Sequence, residues 1–269
     1  MNINIKNIRD WGIIIFCSGS IILGAVSFTY LYYPSPIMTI PWIFLFIIFL
    51  FIYFLRKSVL NKYSKLFKQE NVNELIKYLD RGAKRNRKLR QLRTTNLLTE
   101  AEYNLPFSLS KSIAFSMYGE FDKALVEINH YNTSEMADSY KAMKLNGVTI
   151  NKFLQKTDLK NELINAEKAL ELISKLPKIF PGRETSLNSN QAYVEIGHIL
   201  NKCSNDETIE SLEKRFTKLD TTGFILKLLV AWALAINYKS KKDTSKEAKM
   251  IQFVKTNAPY CKPLLNFNI

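Results

Sequence analysis

The sequence predicts an all-α protein that begins with a two-helix transmembrane hairpin and continues as an array of helix pairs. Trp11 to Leu55 contains no Asp, Glu, Lys, Arg or His, which is typical of a segment that lies in lipid. The remaining chain places apolar residues three and four positions apart and rarely alternates with period two, which indicates helices. Glycine is scarce, with 9 in 269 residues, so few positions interrupt those helices.

The hairpin consists of two apolar spans, residues 11–33 and 37–55. Each span is close to the ~20 residues that cross ~30 Å of hydrocarbon as an α-helix. Pro34 and Pro36 separate the spans, and a break in helical hydrogen bonding has to lie where water can satisfy the freed backbone groups. Tryptophan and tyrosine residues stand near the span ends, where amphipathic rings favour the membrane interface.

Positively charged residues flank the hairpin and set its orientation. Lys6 and Arg9 precede the first span, Arg56 and Lys57 begin a basic stretch after the second, and the connecting turn has no charge. Because Lys and Arg stay on the cytoplasmic side, we expect a multi-pass protein of the cell (inner) membrane with both termini in the cytoplasm. A cleaved signal peptide ending near Ala25 is the alternative. The apolar run exceeds the ~7–15 residues of such a signal, which favours the hairpin.

Small residues form a stripe along the first span. Their spacing of three or four positions places them on one helical face, where they let a second helix approach closely. They are Cys17, Ser20, Gly24 and Ser27. We expect the second span, which is rich in phenylalanine, to pack on this stripe because the short turn already holds the two helices together. A homodimer through the same face is the alternative.

The excess positive charge lies beside the membrane. The formal net charge is +14, and the segment after the hairpin carries a cluster of basic residues without an acid. These residues are Arg81, Lys84, Arg85, Arg87, Lys88, Arg90 and Arg93. A solvated helix face, contact with anionic membrane lipid or another anionic partner, and contact with nucleic acid are the open interpretations. No aromatic residue is interleaved for base stacking, so lipid or solvent is favoured over nucleic acid.

The chain divides into the hairpin at residues 1–56, basic juxtamembrane helices at 57–105 and a helical domain at 106–269. In the middle part, residues 72–80 have the pattern of a helix that Gly82 stops. In the last part, two prolines and a glycine within residues 177–182 mark a loop, since neither residue type continues a helix well.

The last part also contains the most apolar helix of the polar region. Residues 224–236 are apolar except for Lys227, and this length favours a buried central helix with Trp232 in the core over a third span. Two other helix starts resemble capping boxes. Ser204 and Thr244 are each followed three residues later by a glutamate, which predicts them as N-caps.

Several segments resemble the tetratricopeptide repeat, a helix pair that stacks into arrays. Gly119, Phe121 and Ala124 fall on matching positions of its second helix, and residues 72–83 are similar to the same helix. The segment Tyr193-x-x-Ile196-Gly197-x-x-Leu200 resembles the W-x-x-L-G-x-x-Y opening of its first helix. The similarity covers most of residues 57–260.

Four positions are taken as equivalent in successive units of this array. They are Ala124, Ala166, Ile209 and Ala248. Their spacing of roughly 40 residues exceeds the ~34 of the tetratricopeptide repeat and approaches the ~40–47 of other helical arrays. The resemblance implies a TPR-like α-solenoid that binds other proteins, and an irregular helical bundle is the alternative fold.

The sequence offers no constellation that predicts catalysis. His130 and His198 belong to no metal-binding pattern, and there is no phosphate-binding loop, dinucleotide fingerprint or nucleophile elbow. The 3 cysteines form neither a C-x-x-C pair nor a disulfide framework, as expected in a reducing compartment. We therefore expect neither an enzyme nor a metal or cofactor site.

The features together favour a membrane-anchored cytoplasmic interaction scaffold that binds another protein through a helical-repeat surface. Two other classes stay open. The basic cluster would also suit a membrane-tethered regulator that binds nucleic acid. The hairpin itself would be the working part of an auxiliary or immunity-type factor that acts within the bilayer.

Overall fold

A computed structural model describes residues 46, 48–50, 64–91, 99–180, 182–219 and 223–268. Within these residues the chain is helical and has no strand, which confirms the all-α fold class. The helices are α1 (Val72–Gln91), α2 (Glu100–Tyr118), α3 (Phe121–Asn129), α4 (Asp138–Gln155), α5 (Leu159–Ser174), α6 (Arg183–Leu200), α7 (Asp206–Lys218), α8 (Phe224–Ser240) and α9 (Thr244–Asn257), followed by a 3-10 helix at Lys262–Leu265.

The predicted membrane hairpin falls almost wholly outside the described residues. Only residues 46 and 48–50 of its second span are described, and they are helical. Among the described residues, no helix combines the length and the apolar character that a membrane crossing needs. The spans, their orientation and the stripe of Cys17, Ser20, Gly24 and Ser27 therefore stay predictions.

The helices from α2 to α9 are arranged as four consecutive pairs. The two members of each pair pack together: α2 with α3, α4 with α5, α6 with α7, and α8 with α9. The first helices of neighbouring pairs also pack together, α2 on α4, α4 on α6 and α6 on α8. Helix α1 precedes the pairs and packs on α2. These helices form one compact unit, which contains the described residues from 64 to 268.

All four pairs turn through the same backbone motif. The first helix of each pair is followed within two residues by a residue with positive φ, namely Gly119 (85°), Lys156 (60°), Lys202 (58°) or Lys242 (59°). The N–H of the following residue donates to a carbonyl five residues back, as from Glu120 to Phe115 at 2.9 Å and from Asp243 to Tyr238 at 2.9 Å. This is the Schellman motif, which satisfies the last carbonyls of a helix and reverses the chain.

Helix α8 is the core of this unit. Thirteen of its residues are buried, whereas Ile225 and Lys227 near its start are partly exposed and Lys239 and Ser240 at its end are exposed. Trp232 is fully buried, which confirms its predicted place in the core. Phe224 at the start of α8 packs against Phe67 from before α1, with the two ring centres 5.6 Å apart. The predicted loop at residues 177–182 is also confirmed, since it lies between α5 and α6.

Three local predictions differ from the structure. Gly82 does not stop a helix, because α1 continues through it to Gln91. The N-cap of α7 is Asn205, whose side chain accepts from the Thr208 N–H at 2.8 Å, so the cap lies one residue after Ser204. The cap of α9 likewise lies one residue before Thr244, at Asp243.

A capping box that the sequence analysis did not predict lies at the start of α2. Thr99 and Glu102 bond to each other's backbone N–H there. Helix α2 also crosses the point between residues 105 and 106 where the sequence suggested a domain boundary. Short polar residues are common near helix ends, so the pattern alone did not locate the caps to one residue.

The four positions taken as equivalent in the repeats have different environments. Ala124 and Ala166 are fully buried and Ile209 is buried, as expected for residues that face the first helix of their pair. Ala248 is exposed, and Met250 and Val254 are the buried residues of α9.

Candidate interaction surfaces

The basic cluster lies on the second half of α1. Arg81, Lys84 and Arg87 are exposed there. Arg85, Lys88 and Arg90 belong to the same helix, but their side chains are outside the described set, as is all of Arg93. An exposed run of like charges on one helix attracts anions by its electrostatic field and does not select them by shape.

Two members of the basic cluster bond within the domain. The Arg87 guanidinium donates to the Glu100 carboxylate at 3.1 Å and to the Asn104 side chain at 3.5 Å, which ties α1 to α2. The Arg81 side chain donates to the Lys77 carbonyl at 3.3 Å. Exposed ion pairs of this kind contribute little, ~0–1 kcal/mol, so an anionic partner can compete for these groups.

A second surface is formed where the C-terminal segment, residues 258–268, runs along the helix pairs. Its 3-10 helix packs on α2, α4, α8 and α9. Cys261 and Leu264 are fully buried, and the Pro263 ring lies beside Gly119 at the end of α2. Burial raises the pKa of the Cys261 thiol to about 12, so this group stays protonated and unreactive at neutral pH.

After the 3-10 helix, side chains from α8 and the α4–α5 turn hold the segment through its carbonyls. The Trp232 indole N–H donates to the Asn266 carbonyl at 3.1 Å. The Lys156 ammonium donates to the same carbonyl at 3.0 Å and also to the carbonyl of Asn268. The Lys239 ammonium donates to the Asn268 side chain. Three of these four bonds are to backbone carbonyls of the segment, and one is to a side chain.

The site is positively charged. The Lys156 ammonium lies 5.9 Å from the centre of the Trp232 ring, within cation–π distance. Partial burial lowers the pKa of Lys156, and the nearby Lys239 ammonium lowers it further. In the described part of the chain, neither lysine forms a salt bridge with a carboxylate.

The buried carboxylates have structural partners. Glu195 of α6 accepts from the Arg215 guanidinium at 3.0 Å and from the Ser211 hydroxyl at 2.8 Å, which fastens α7 to α6. Glu162 of α5 accepts from the Thr149 hydroxyl of α4 at 3.1 Å. Each carboxylate joins the two helices of one pair, so we assign both to the fold.

The described histidines and cysteines do not form a common site. His130 is exposed with its ring 4.7 Å from that of Tyr131, and His198 Nε2 lies 3.9 Å from a Glu167 carboxylate oxygen. Over the described ranges, no group of three or more His, Cys, Asp or Glu residues is placed to hold a metal ion. The expectations of no enzyme activity and no cofactor stay predictions.

No protein-family model, curated protein or solved structure matches the chain. The sequence pointed to the basic cluster of α1 and to Trp232 but not to the lysines beside Trp232. Lys156 and Asn266 are 110 residues apart, and no periodicity links such positions.

Proposed function

We propose that this protein is a membrane-anchored cytoplasmic scaffold that binds another protein through the surface of its helix pairs. The observation that carries the proposal is the fourfold use of one turn motif, at Gly119, Lys156, Lys202 and Lys242. The same reversal at each pair is expected if the pairs are equivalent units of an array, and arrays present extended surfaces to partners.

The proposed array is TPR-like and degenerate. A Cβ added at Gly197, in the segment that resembles the repeat opening, would lie 2.9 Å from atoms of Phe153 and Leu163. A Cβ at Gly147 of α4 would lie 2.7 Å from Ile128. In both cases glycine lets the first helix of a pair approach the preceding pair closely, which supports stacked units over an irregular bundle. The enclosed α8 and the C-terminal segment close the end of the array.

The proposed location is the cytoplasmic face of the inner membrane. The uncharged run of residues 11–55 would tether the helix pairs there, and the exposed Arg81 and Lys84 of α1 would face an anionic leaflet. Confinement to a membrane raises the local concentration of a scaffold and its partner, since a tethered second contact is effectively intramolecular.

Cross-linking of the full-length protein in its membrane, followed by capture with and without nuclease, tests this function. We expect one protein partner at a fixed ratio, retained after nuclease and recovered equally when an unrelated two-span anchor replaces residues 1–56. Recovery that nuclease abolishes would favour the nucleic-acid regulator. Loss of biological function on anchor exchange would favour the factor that works through its hairpin. Either result would contradict the scaffold.

A further inference from the structure

The bonds around Asn266 and Asn268 describe a site that the C-terminal segment of the chain occupies. Trp232 is fully buried, and its indole N–H has the Asn266 carbonyl as its acceptor. Removing the segment would remove this acceptor and leave the indole N–H to water or to another acceptor. The C-terminal segment satisfies the site in this structure.

The C-terminal segment is held by hydrogen bonds to its backbone carbonyls, which other peptides can also accept. The Trp232 and Lys156 donors bind the carbonyls of Asn266 and Asn268, which are two residues apart in a turn where the Asn268 N–H also donates to the Asn266 side chain at 3.2 Å. The side chains of Asn266 and Asn268 are themselves exposed. Every peptide offers backbone carbonyls, so these donors set few demands on side chains.

The positive charge of the site favours acidic peptides. Among the described residues, the hydrogen-bond acceptors of the neighbouring Lys156 and Lys239 ammonium groups are neutral amide oxygens. Hydrogen bonds from ammonium to carboxylate are stronger than those to a neutral amide. The asparagine at 268 therefore occupies a place that an aspartate or glutamate would fill better, and the net charge of +14 favours an acidic partner at longer range.

We propose that the face between α4 and α8 is a docking site for an acidic segment of another protein, which displaces residues 266–268. This inference rests on the proposed scaffold function and names its partner class. The first part of the C-terminal segment, with the buried Cys261 and Leu264, stays in place. Only the stretch after the 3-10 helix exchanges, because it is held by side-chain donors on an otherwise exposed chain.

The test uses the full-length chain with Trp11→Phe and Trp42→Phe, which leaves Trp232 as its one tryptophan. A second version ends after Leu265. The probe is a synthetic peptide with the sequence of residues 264–269, and a second probe carries Asp in place of Asn268. We expect both probes to change Trp232 emission in the shortened chain. The aspartate probe should bind at least fivefold more tightly at low salt, and the intact chain should bind both probes at least tenfold more weakly.

Matched variants separate the donors from general charge. Lys156→Met in the shortened chain should weaken binding of the aspartate probe at least tenfold, since it removes a bonded ammonium. Lys160→Met is the control, because Lys160 is an exposed lysine of the next helix and should change binding less than twofold. Equal effects of the two substitutions would overturn the site and indicate non-specific attraction.

Other outcomes also decide the question. One is that the shortened chain keeps its circular dichroism spectrum and still does not bind the probe at millimolar concentration. That result would mean that the segment is a permanent part of the fold, and it would overturn the proposal. If shortening unfolds the chain, the probe with benzophenone at position 267 is added to the intact chain. Cross-links to α4 or α8 would then support exchange and their absence would refute it. Dimers of the intact chain that vanish on shortening would assign the face to a second copy instead.

This inference and the scaffold function can fail separately. A cross-linked partner recovered equally with the intact and shortened chains, without any probe response, would leave the scaffold and remove this site. A probe response without a recoverable partner would support the site and count against the scaffold.

Discussion

Arg215 and Glu195 form the most buried ion pair among the described residues, with side-chain exposures of 18% and 7%. Arg215→Met would keep most of the apolar stem but leave the Glu195 carboxylate buried with only the Ser211 hydroxyl as a side-chain donor. We expect the free energy of unfolding to fall by ~3–5 kcal/mol, as when one partner of a buried pair is removed. Urea unfolding followed by circular dichroism measures it.

The neighbouring Lys214 supplies the control. It pairs with Glu210 at 2.7 Å on the exposed surface of α7. Lys214→Met should change the free energy of unfolding by ~0.3–0.5 kcal/mol, the value of an exposed i,i+4 pair. Similar losses for the two variants would mean that the Glu195 pair is not structurally special.

The buried Cys261 thiol predicts alkaline destabilisation. Burial raises its pKa to about 12, whereas an unfolded thiol ionises near ~8.5. The unfolded state therefore binds fewer protons between these values, and the free energy of unfolding falls as pH rises through that window. Cys261→Ala should make the pH slope between 9 and 11 shallower, as urea titrations at each pH would show. An unchanged slope would exclude the thiol as a cause.

At the scale of the element, the helix-pair turns contain lysines where glycine is easier to accommodate. Lys242 has φ of 59° and an exposed side chain. A residue with a Cβ loses about 1 kcal/mol in the left-handed region, so Lys242→Gly should stabilise the protein by about that amount. The same change at the exposed Lys249 inside α9 should destabilise by ~1 kcal/mol, because glycine is unfavourable within a helix. Thermal unfolding of the two variants should shift in opposite directions.

Two helical glycines allow a second matched comparison. A Cβ at Gly197 of α6 meets Phe153 and Leu163 at 2.9 Å, whereas one at Gly82 of α1 meets nothing within 4 Å. Gly197→Ala should destabilise by ~1–3 kcal/mol through overpacking. Gly82→Ala should stabilise by ~0.5–1 kcal/mol, since alanine loses less backbone entropy in a helix. Stabilisation by both changes would mean that the helices can separate freely at Gly197.

At the scale of the whole molecule, the uneven charge predicts salt-sensitive binding to membranes. A fragment from residue 57 onward should bind vesicles that contain anionic lipid and leave them when salt is added. Replacing Arg85, Arg87, Lys88 and Arg90 with Gln should weaken binding by up to ~4 kcal/mol, at about 1 kcal/mol per residue near the surface. Flotation of vesicles at several salt concentrations measures this. Equal binding to neutral vesicles would reject the lipid interpretation.

Several features of the fold could be predicted because they depend on local sequence. Apolar spacing of three and four residues indicated helices, and the density of apolar residues around Trp232 indicated a buried helix. Pro177 and its neighbours indicated the loop before α6. The positive φ angles of the three turn lysines could not be predicted. Glycine, as at Gly119, favours such a backbone angle, but lysine does not.

The sequence by itself determined that the chain is helical, which helix is central and where the excess charge lies, since each depends on composition or on neighbours one to four positions apart. Only the tertiary structure decided that Arg215 neutralises Glu195 and that Trp232 and Lys156 meet the backbone of Asn266. Those partners are 20 to 110 residues apart. They meet because burial of apolar helix faces brings distant segments together, and hydrophobic attraction has no direction that a sequence pattern could record.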